Sequence, residues 1–320
     1  MVTVRAVLSM ATMYGWHLHQ MDVFNVFLQE DLVEDVYMVQ PPGFSQSHYD
    51  YSLFTKKVDG HIVIILVYMD DLLITGSSSS LIHATKTLLQ HHFKIKDLGE
   101  MKYFLGLEIA RNKDGISVCQ RKFTLSLISD LGLAGSKPAT TPLEVNQGLT
   151  SVAYDKGLVA DDTEIDEAME DATSYQKPVG KILYLTMTRP DIAYAIQNLS
   201  QFRHSPKKSH MEATLRVVKY LKNAPGLGIL LSFKRSNELT VFCDSDWATC
   251  PMTRKSVSGF VVKIGNSLLS WKQKKQKVVW LIGLFGELDL QIQLPVKLFC
   301  DSKAALQIAA NPIYHEGRNI

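Results

Sequence analysis

The stretch that most constrains this chain is His61–Tyr68, an almost unbroken run of β-branched and apolar residues that stops just before two adjacent aspartates, Asp70 and Asp71. A run of this length reads as a strand buried on both faces, and it is far too short to cross a bilayer as a helix. The apolar pattern resumes over Leu72–Thr75, which puts the acid pair at the tip of a hairpin. Adjacent carboxylates repel each other, and burying either is costly unless a cation or hydrogen bonds compensate. Taken alone, such a pair is more often a solvated turn. The alternative is a site for Mg²⁺, a hard cation that takes oxygen ligands, with Asp22 on a second strand supplying another carboxylate.

Around the hairpin the chain alternates helical and strand patterns. Val4, Val7, Leu8 and Ala11 share one helical face that Gly15 ends, and a strand then runs into Met21–Val23. Val36–Val39 reads as a strand stopped by Pro41, Pro42 and Gly43. A helix is expected over 80–93 with serines to cap it, then a strand over Phe104–Ile109 that returns after a turn at Lys113–Gly115. From Lys137 to Asp171, prolines and a run of acids predict a solvated linker. Two helices follow, the second opening on Ser209 with Glu212 as a capping box. Strands return with one ending at Cys243-Asp244, then Val257–Ile264, Leu268–Trp271, and Val296–Cys300 ending in Asp301 before an alanine-rich helix. The expectation is a mixed α/β (α+β) fold with carboxylates set repeatedly at strand ends.

Length and composition bound this reading. A chain of 320 residues has room for two or three domains, and 46% hydrophobic with 21% charged residues suits a folded chain with a core. The net charge of +2 argues neither for nor against nucleic acid. The four cysteines are scattered without a CxxC pair, which argues against a zinc site or a disulfide framework and for a reducing compartment. No signal-peptide pattern opens the chain, so an intracellular, non-membrane protein is expected. Basic residues cluster at Arg203, Lys207, Lys208, Arg216, Lys219 and Lys222, and again at Lys272, Lys274, Lys275 and Lys277 beside Trp271. They suggest a phosphate-tracking face, although charge runs are commonly just solvated surface.

Several motifs carry a resemblance in order and wording. They are Met21-Asp22-Val23-Phe24-Asn25-Val26-Phe27-Leu28, Val36-Tyr37-Met38-Val39-Gln40-Pro41-Pro42-Gly43-Phe44 and Val67-Tyr68-Met69-Asp70-Asp71. Leu98–Ile109, Thr188–Ile192 and Cys243–Ala248 continue the match. Together they resemble the reverse transcriptase and ribonuclease H region of copia-type retrotransposon Pol polyproteins over almost the whole chain. The resemblance implies a polymerase palm-type sheet with helices over 1–146, a helical thumb or connection with an acidic linker over 147–236, and a truncated ribonuclease H-like α/β domain over 237–320. It further implies that Asp22 and Asp70 are palm metal ligands with Asp71 their acidic neighbour, and that Tyr68 and Met69 lie near the primer end. Phe27 would crowd the sugar 2′ position and favour deoxynucleotides. Asp244 and Asp301 would belong to a ribonuclease H site, each site working with two Mg²⁺ ions. Implied partners are an RNA template, a DNA primer, their hybrid and deoxynucleotide triphosphates, in cytoplasmic particles.

The chain also departs from the family pattern. It begins at the helix before Asp22, without the upstream fingers segment, and ends before the last acid of the ribonuclease H site. Only Ser45–Asp50 stands between Phe44 and Tyr51, where the family carries several tens of residues, including a helix under the nascent base pair. After Lys277 the chain moves to Val278-Val279-Trp280-Leu281 in place of the helix bearing the ribonuclease H glutamate, and Glu287 matches a later position. Phe24 replaces a basic residue, and Val26 an alanine. These losses predict a copy that keeps its aspartates without turning over, because such chemistry needs reacting groups held to fractions of an ångström.

Overall fold

The computed structural model describes residues 1–23, 43–144, 148–156, 166–246, 252, 257–271 and 277–301. Phe27, Lys272, Lys274, Lys275, the strand expected at Val36–Val39 and the helix expected after Asp301 lie outside them.

The chain opens with α1 (Val2–Tyr14), which ends at Gly15 in the left-handed conformation, as its sequence suggests. Every residue from Thr3 to Met13 is buried, so α1 is not the one-sided helix its four apolar positions predict. A helix of small and apolar residues carrying a single charge can be enclosed on all sides.

Strands β1 (Leu18–Val23), β2 (Ser45–Gln46), β3 (Leu53–Val58), β4 (His61–Tyr68), β5 (Asp71–Gly76) and β6 (Ile95–Glu100), with α2 (Ser79–His92), make the first layer. They form an antiparallel sheet in the order β2-β3-β4-β5-β1-β6. Strands β4 and β5 are apolar on both sides because both sheet faces are covered. Leu18, Ile64, Leu66 and Leu73 share the core of α1, while Met21, Val63, Ile65, Leu72 and Ile74 pack with Ile82 and Leu89 of α2. Ser78 caps α2, accepting from the Leu81 amide at 3.5 Å.

The next elements are β7 (Tyr103–Phe104), β8 (Leu107–Arg111), β9 (Gly115–Cys119), α3 (Arg121–Asp130), α4 (Val152–Lys156), α5 (Ala172–Leu185), α6 (Ala193–Ser200), α7 (Lys208–Leu221) and β10 (Ile229–Ser232). The helices enclose their own core of Leu127, Tyr175, Val179, Ile182, Leu199, Val217 and Leu221. Strand β10 leaves them to complete a second sheet, β10-β9-β8-β7. Helix α7 starts one residue before the expected box: Lys207 takes the cap position and its amide donates to His210 Nδ1 at 3.1 Å. Ser209 turns instead to Asp166, at 2.6 Å.

The expected acidic linker is also corrected. Its described residues lie against the helices: Leu143, Leu149 and Met169 join their core, and Asp155 and Asp166 both pair with Lys207.

The third sheet comprises β11 (Leu239–Asp246), β12 (Val257–Ile264), β13 (Ser267–Ser270) and β14 (Lys297–Cys300), with α8 (Lys277–Glu287) before β14. Its order is β13-β12-β11-β14, antiparallel except for the parallel pair β11/β14. Parallel neighbours need a crossover connection, and α8 lies within it. Its Leu281, Leu284 and Phe285 join the same core as α1. Among the described residues no helix is long and apolar enough to cross a membrane.

Candidate active site

The register of the first sheet assembles the acids. Asp22 on β1 and Asp71 on β5 are directly opposed partners, and Tyr68 on β4 is opposed to Asp71 from the other side. Directly opposed residues of an antiparallel pair share a face, with Cβ atoms about 4.5–5.5 Å apart. Asp22, Asp71 and Tyr68 therefore line the end of the sheet face that covers α1. Asp70 sits in the two-residue loop between β4 and β5, exposed, and its carbonyl accepts from the Val23 amide at 2.8 Å. Its neighbour Met69 has φ 53 and is 78% exposed. A methionine in that left-handed conformation costs roughly 1–3 kcal/mol, and such strain concentrates at functional sites.

The electrostatics agree. Partial burial pushes the Asp71 carboxyl above the ordinary range, the charges of Asp70 and Asp22 push it the same way, and hydrogen bonds from Gln20 and the Leu105 amide oppose the shift. Gln20 Nε2 donates to Asp71 Oδ1 at 2.8 Å. The turn supplying Leu105 is itself held, since Tyr184 on α5 donates to the Leu105 carbonyl at 2.7 Å. Tyr68 Oη accepts from the amine of Met1 at 3.3 Å. Asp70 and Asp22 both repel the Asp71 carboxylate, a charge balance that a hard divalent cation would offset. Among the described residues, no three carboxylate, imidazole or thiol groups converge into a ready cage.

A second acid pair lies in the third sheet. Cys243 and Cys300 are register partners of the parallel ladder, with Asp244 and Asp301 each one residue further on: Asp301 directly follows β14, while β11 runs past the end expected at Asp244 as far as Asp246. Both are exposed. Glu287, at the end of α8, does not join them: its Oε1 accepts from the His48 amide at 3.0 Å.

The basic cluster is different from the expected phosphate-tracking face. Lys207 is 3% exposed and its ammonium lies 2.6 Å from Asp155 and 3.0 Å from Asp166, so its charge is used internally. Lys208 pairs with Glu167, and Arg203 stays at the surface. Trp271 is no exposed stacking platform either. It is buried under the Arg5 guanidinium, and its indole N–H donates to the Thr186 carbonyl at 2.8 Å. Sequence reasoning missed Gln20 and Tyr184, which carry no motif signal, and gave Leu105 of the Leu98–Ile109 motif no role; all three reach Asp71 only through the fold.

A family model described as "Reverse transcriptase (RNA-dependent DNA polymerase)" matches residues 1–51 and 44–145. The chain is similar to the Retrovirus-related Pol polyprotein from transposon RE1 of Arabidopsis thaliana, 32% identical over 372 residues, covering 98% of this chain and 25% of that protein. It is 27% identical over 384 residues to the Retrovirus-related Pol polyprotein from transposon TNT 1-94 of Nicotiana tabacum, covering 98% of this chain and 28% of that protein. An uncharacterized mitochondrial protein of Arabidopsis thaliana is 33% identical over 217 residues, covering 67% of this chain and 84% of its own length. The chain thus spans about a quarter of the length of the polyproteins it matches. Both of those alignments are longer than the chain's 320 residues and so open gaps within it. The two family segments meet over 44–51, where Ser45–Asp50 stands as the short connection. No solved structure matches.

Proposed function

Since this chain belongs to the family of copia-type retrotransposon Pol polyproteins and matches its reverse transcriptase, we propose that it carries the palm of an RNA-directed DNA polymerase in a copy that holds nucleic acid without extending it. The observation that carries the palm reading is the register opposing Asp22 to Asp71 with Asp70 at the strained hairpin tip.

In this reading Asp22, Asp70 and Asp71 hold Mg²⁺, while Gln20 and the Leu105 amide orient Asp71. When bound, the metal supplies an activated 3′-hydroxyl and charge that steadies the departing pyrophosphate. Tyr68 and Met69 border the primer end, and Phe27 selects deoxynucleotides. The helical unit over 147–236 serves as thumb or connection.

The loss of turnover is argued from the shortened connection. Ser47 Oγ accepts from the amides of Tyr49 and Asp50 at 3.1 and 3.2 Å, closing a tight turn. Helix α8 covers that turn, with the Trp280 indole N–H donating to the Tyr49 carbonyl at 2.8 Å. Six residues folded this way leave no segment for the wall that would hold the nascent base pair, and misplacement by about 1 Å can cost 10²-fold in rate.

The third sheet supports a ribonuclease H-like unit, through the parallel β11/β14 pair and the acids Asp244 and Asp301 that follow its last register partners. With Glu287 bound to the connection and away from Asp244 and Asp301, hybrid cleavage is not expected.

The test is an RNA template annealed to a DNA primer, with Mg²⁺, deoxynucleotides and the Asp70→Asn variant alongside. We expect hybrid binding that weakens steeply with salt and no primer extension. Extension by the wild type that Asp70→Asn abolishes would overturn the non-catalytic reading. An absence of hybrid binding at low salt would overturn nucleic-acid retention.

A further inference from the structure

Two of the scattered cysteines meet in the fold. Cys243 on β11 and Cys300 on β14 are directly paired in the parallel ladder. Neighbouring strands lie about 4.8 Å apart, inside the roughly 4.4–6.8 Å Cα separation that disulfides span. In-register residues of adjacent strands point to one face, here the face of Val241 rather than that of the exposed Phe242. The Cys243 thiol already leans across the ladder, its Sγ 3.4 Å from the carbonyl of Phe299, the residue before Cys300. Both side chains are half-buried, open enough for a small reagent and enclosed enough to be held in place. Cys119 lies in the second sheet, far from this pair in the topology.

We propose that Cys243 and Cys300 form a redox-sensitive thiol pair that a small disulfide oxidant closes into a bond tying β11 to β14. With oxidised glutathione the steps balance. One protein thiolate attacks a glutathione sulfur, forms a mixed disulfide and expels one glutathione thiol. The second protein thiolate then attacks the bound protein sulfur and expels the other glutathione. Two protein thiols are oxidised and one glutathione disulfide is reduced to two thiols. The bond would sit one residue before both Asp244 and Asp301, fixing the spacing of the two strands next to those acids. In a reducing compartment such a bond is transient, which suits redox sensing better than a structural framework. The proposal stands independently of any polymerase or nuclease reading.

The test treats the folded full chain with oxidised glutathione, quenches with an alkylating agent, digests it and analyses the peptides by mass spectrometry without reduction. The expected result is a linked peptide pair that is lost on adding reductant, its bond located to Cys243 and Cys300 by fragment ions, with Cys119 and Cys250 recovered alkylated. In Cys300→Ser, Cys243 is expected to stop at the glutathione adduct. Recovery of both cysteines alkylated in the oxidised wild type would overturn the proposal. So would equal yields of the linked pair from folded and urea-unfolded chain, because the fold would then not be what brings the thiols together.

Discussion

Asp71 carries opposing demands that make it the most informative single residue. Its carboxyl is raised by burial and by the charges of Asp70 and Asp22. A carboxylate raised in the folded state binds its proton more tightly there than in the unfolded chain. Its ionisation therefore lowers stability as pH climbs from the ordinary carboxylate range towards the raised one. Asp71→Asn removes that penalty, and like charges opposed across a ladder are each worth roughly 0.2–1 kcal/mol. The urea midpoint of Asp71→Asn is expected to exceed that of the wild type at neutral pH, with the difference vanishing in acid, where Asp71 is protonated. Lys207 works with the opposite sign. Burial pushes Asp155 and Asp166 up, yet hydrogen bonds and the Lys207 charge outweigh it and hold both below the ordinary range. That support is present above the unfolded carboxylate value and is lost as pH falls through the folded one. The acid hairpin was legible in sequence because it breaks an apolar run. The Lys207 pairing was not, because its partners sit far away in a stretch whose composition reads as solvated.

At the scale of elements, α1 is the piece on which the rest is assembled. Arg5 is buried within it, donating to the Leu269 carbonyl at 2.6 Å and the Met187 carbonyl at 3.0 Å, with its guanidinium 4.3 Å over the Trp271 ring. Burial alone brings its pKa down to about 10. Trp271 returns the contact through its bond to the Thr186 carbonyl. Arg5 and Trp271 thus clamp α1, the end of α5 and the end of β13 together. Trp271→Phe keeps most of the ring but leaves a buried carbonyl unpaired, and is expected to destabilise the chain by roughly 1–3 kcal/mol in urea. The strand and helix positions were largely legible, since β4, β5, α2 and the strands of the third sheet follow apolar periodicity and their caps. The enclosure of α1 was not, because periodicity within a helix does not report how many neighbours will surround it.

For the whole molecule, the three-part division expected from sequence is looser in space than along the chain. Strand β10, within the 147–236 segment, follows α7 and completes the sheet of β7–β9. One hydrophobic core runs through α1, the first two sheets, the third sheet and α8. The short connection and α8 rest on each other through Trp280, Tyr49, His48 and Glu287. The Asp22 and Asp71 pair stands in register on the same sheet as that connection. The central proposal is that Asp22, Asp70 and Asp71 together hold a divalent cation. The direct measurement is Mn²⁺ binding to the full chain, followed by electron paramagnetic resonance, in the wild type and in an Asp22→Asn, Asp71→Asn double variant matched for folding by thermal melt. The account predicts saturable binding that the variant weakens by at least about tenfold, equivalent to about 1.4 kcal/mol. Identical isotherms for the two proteins would contradict it.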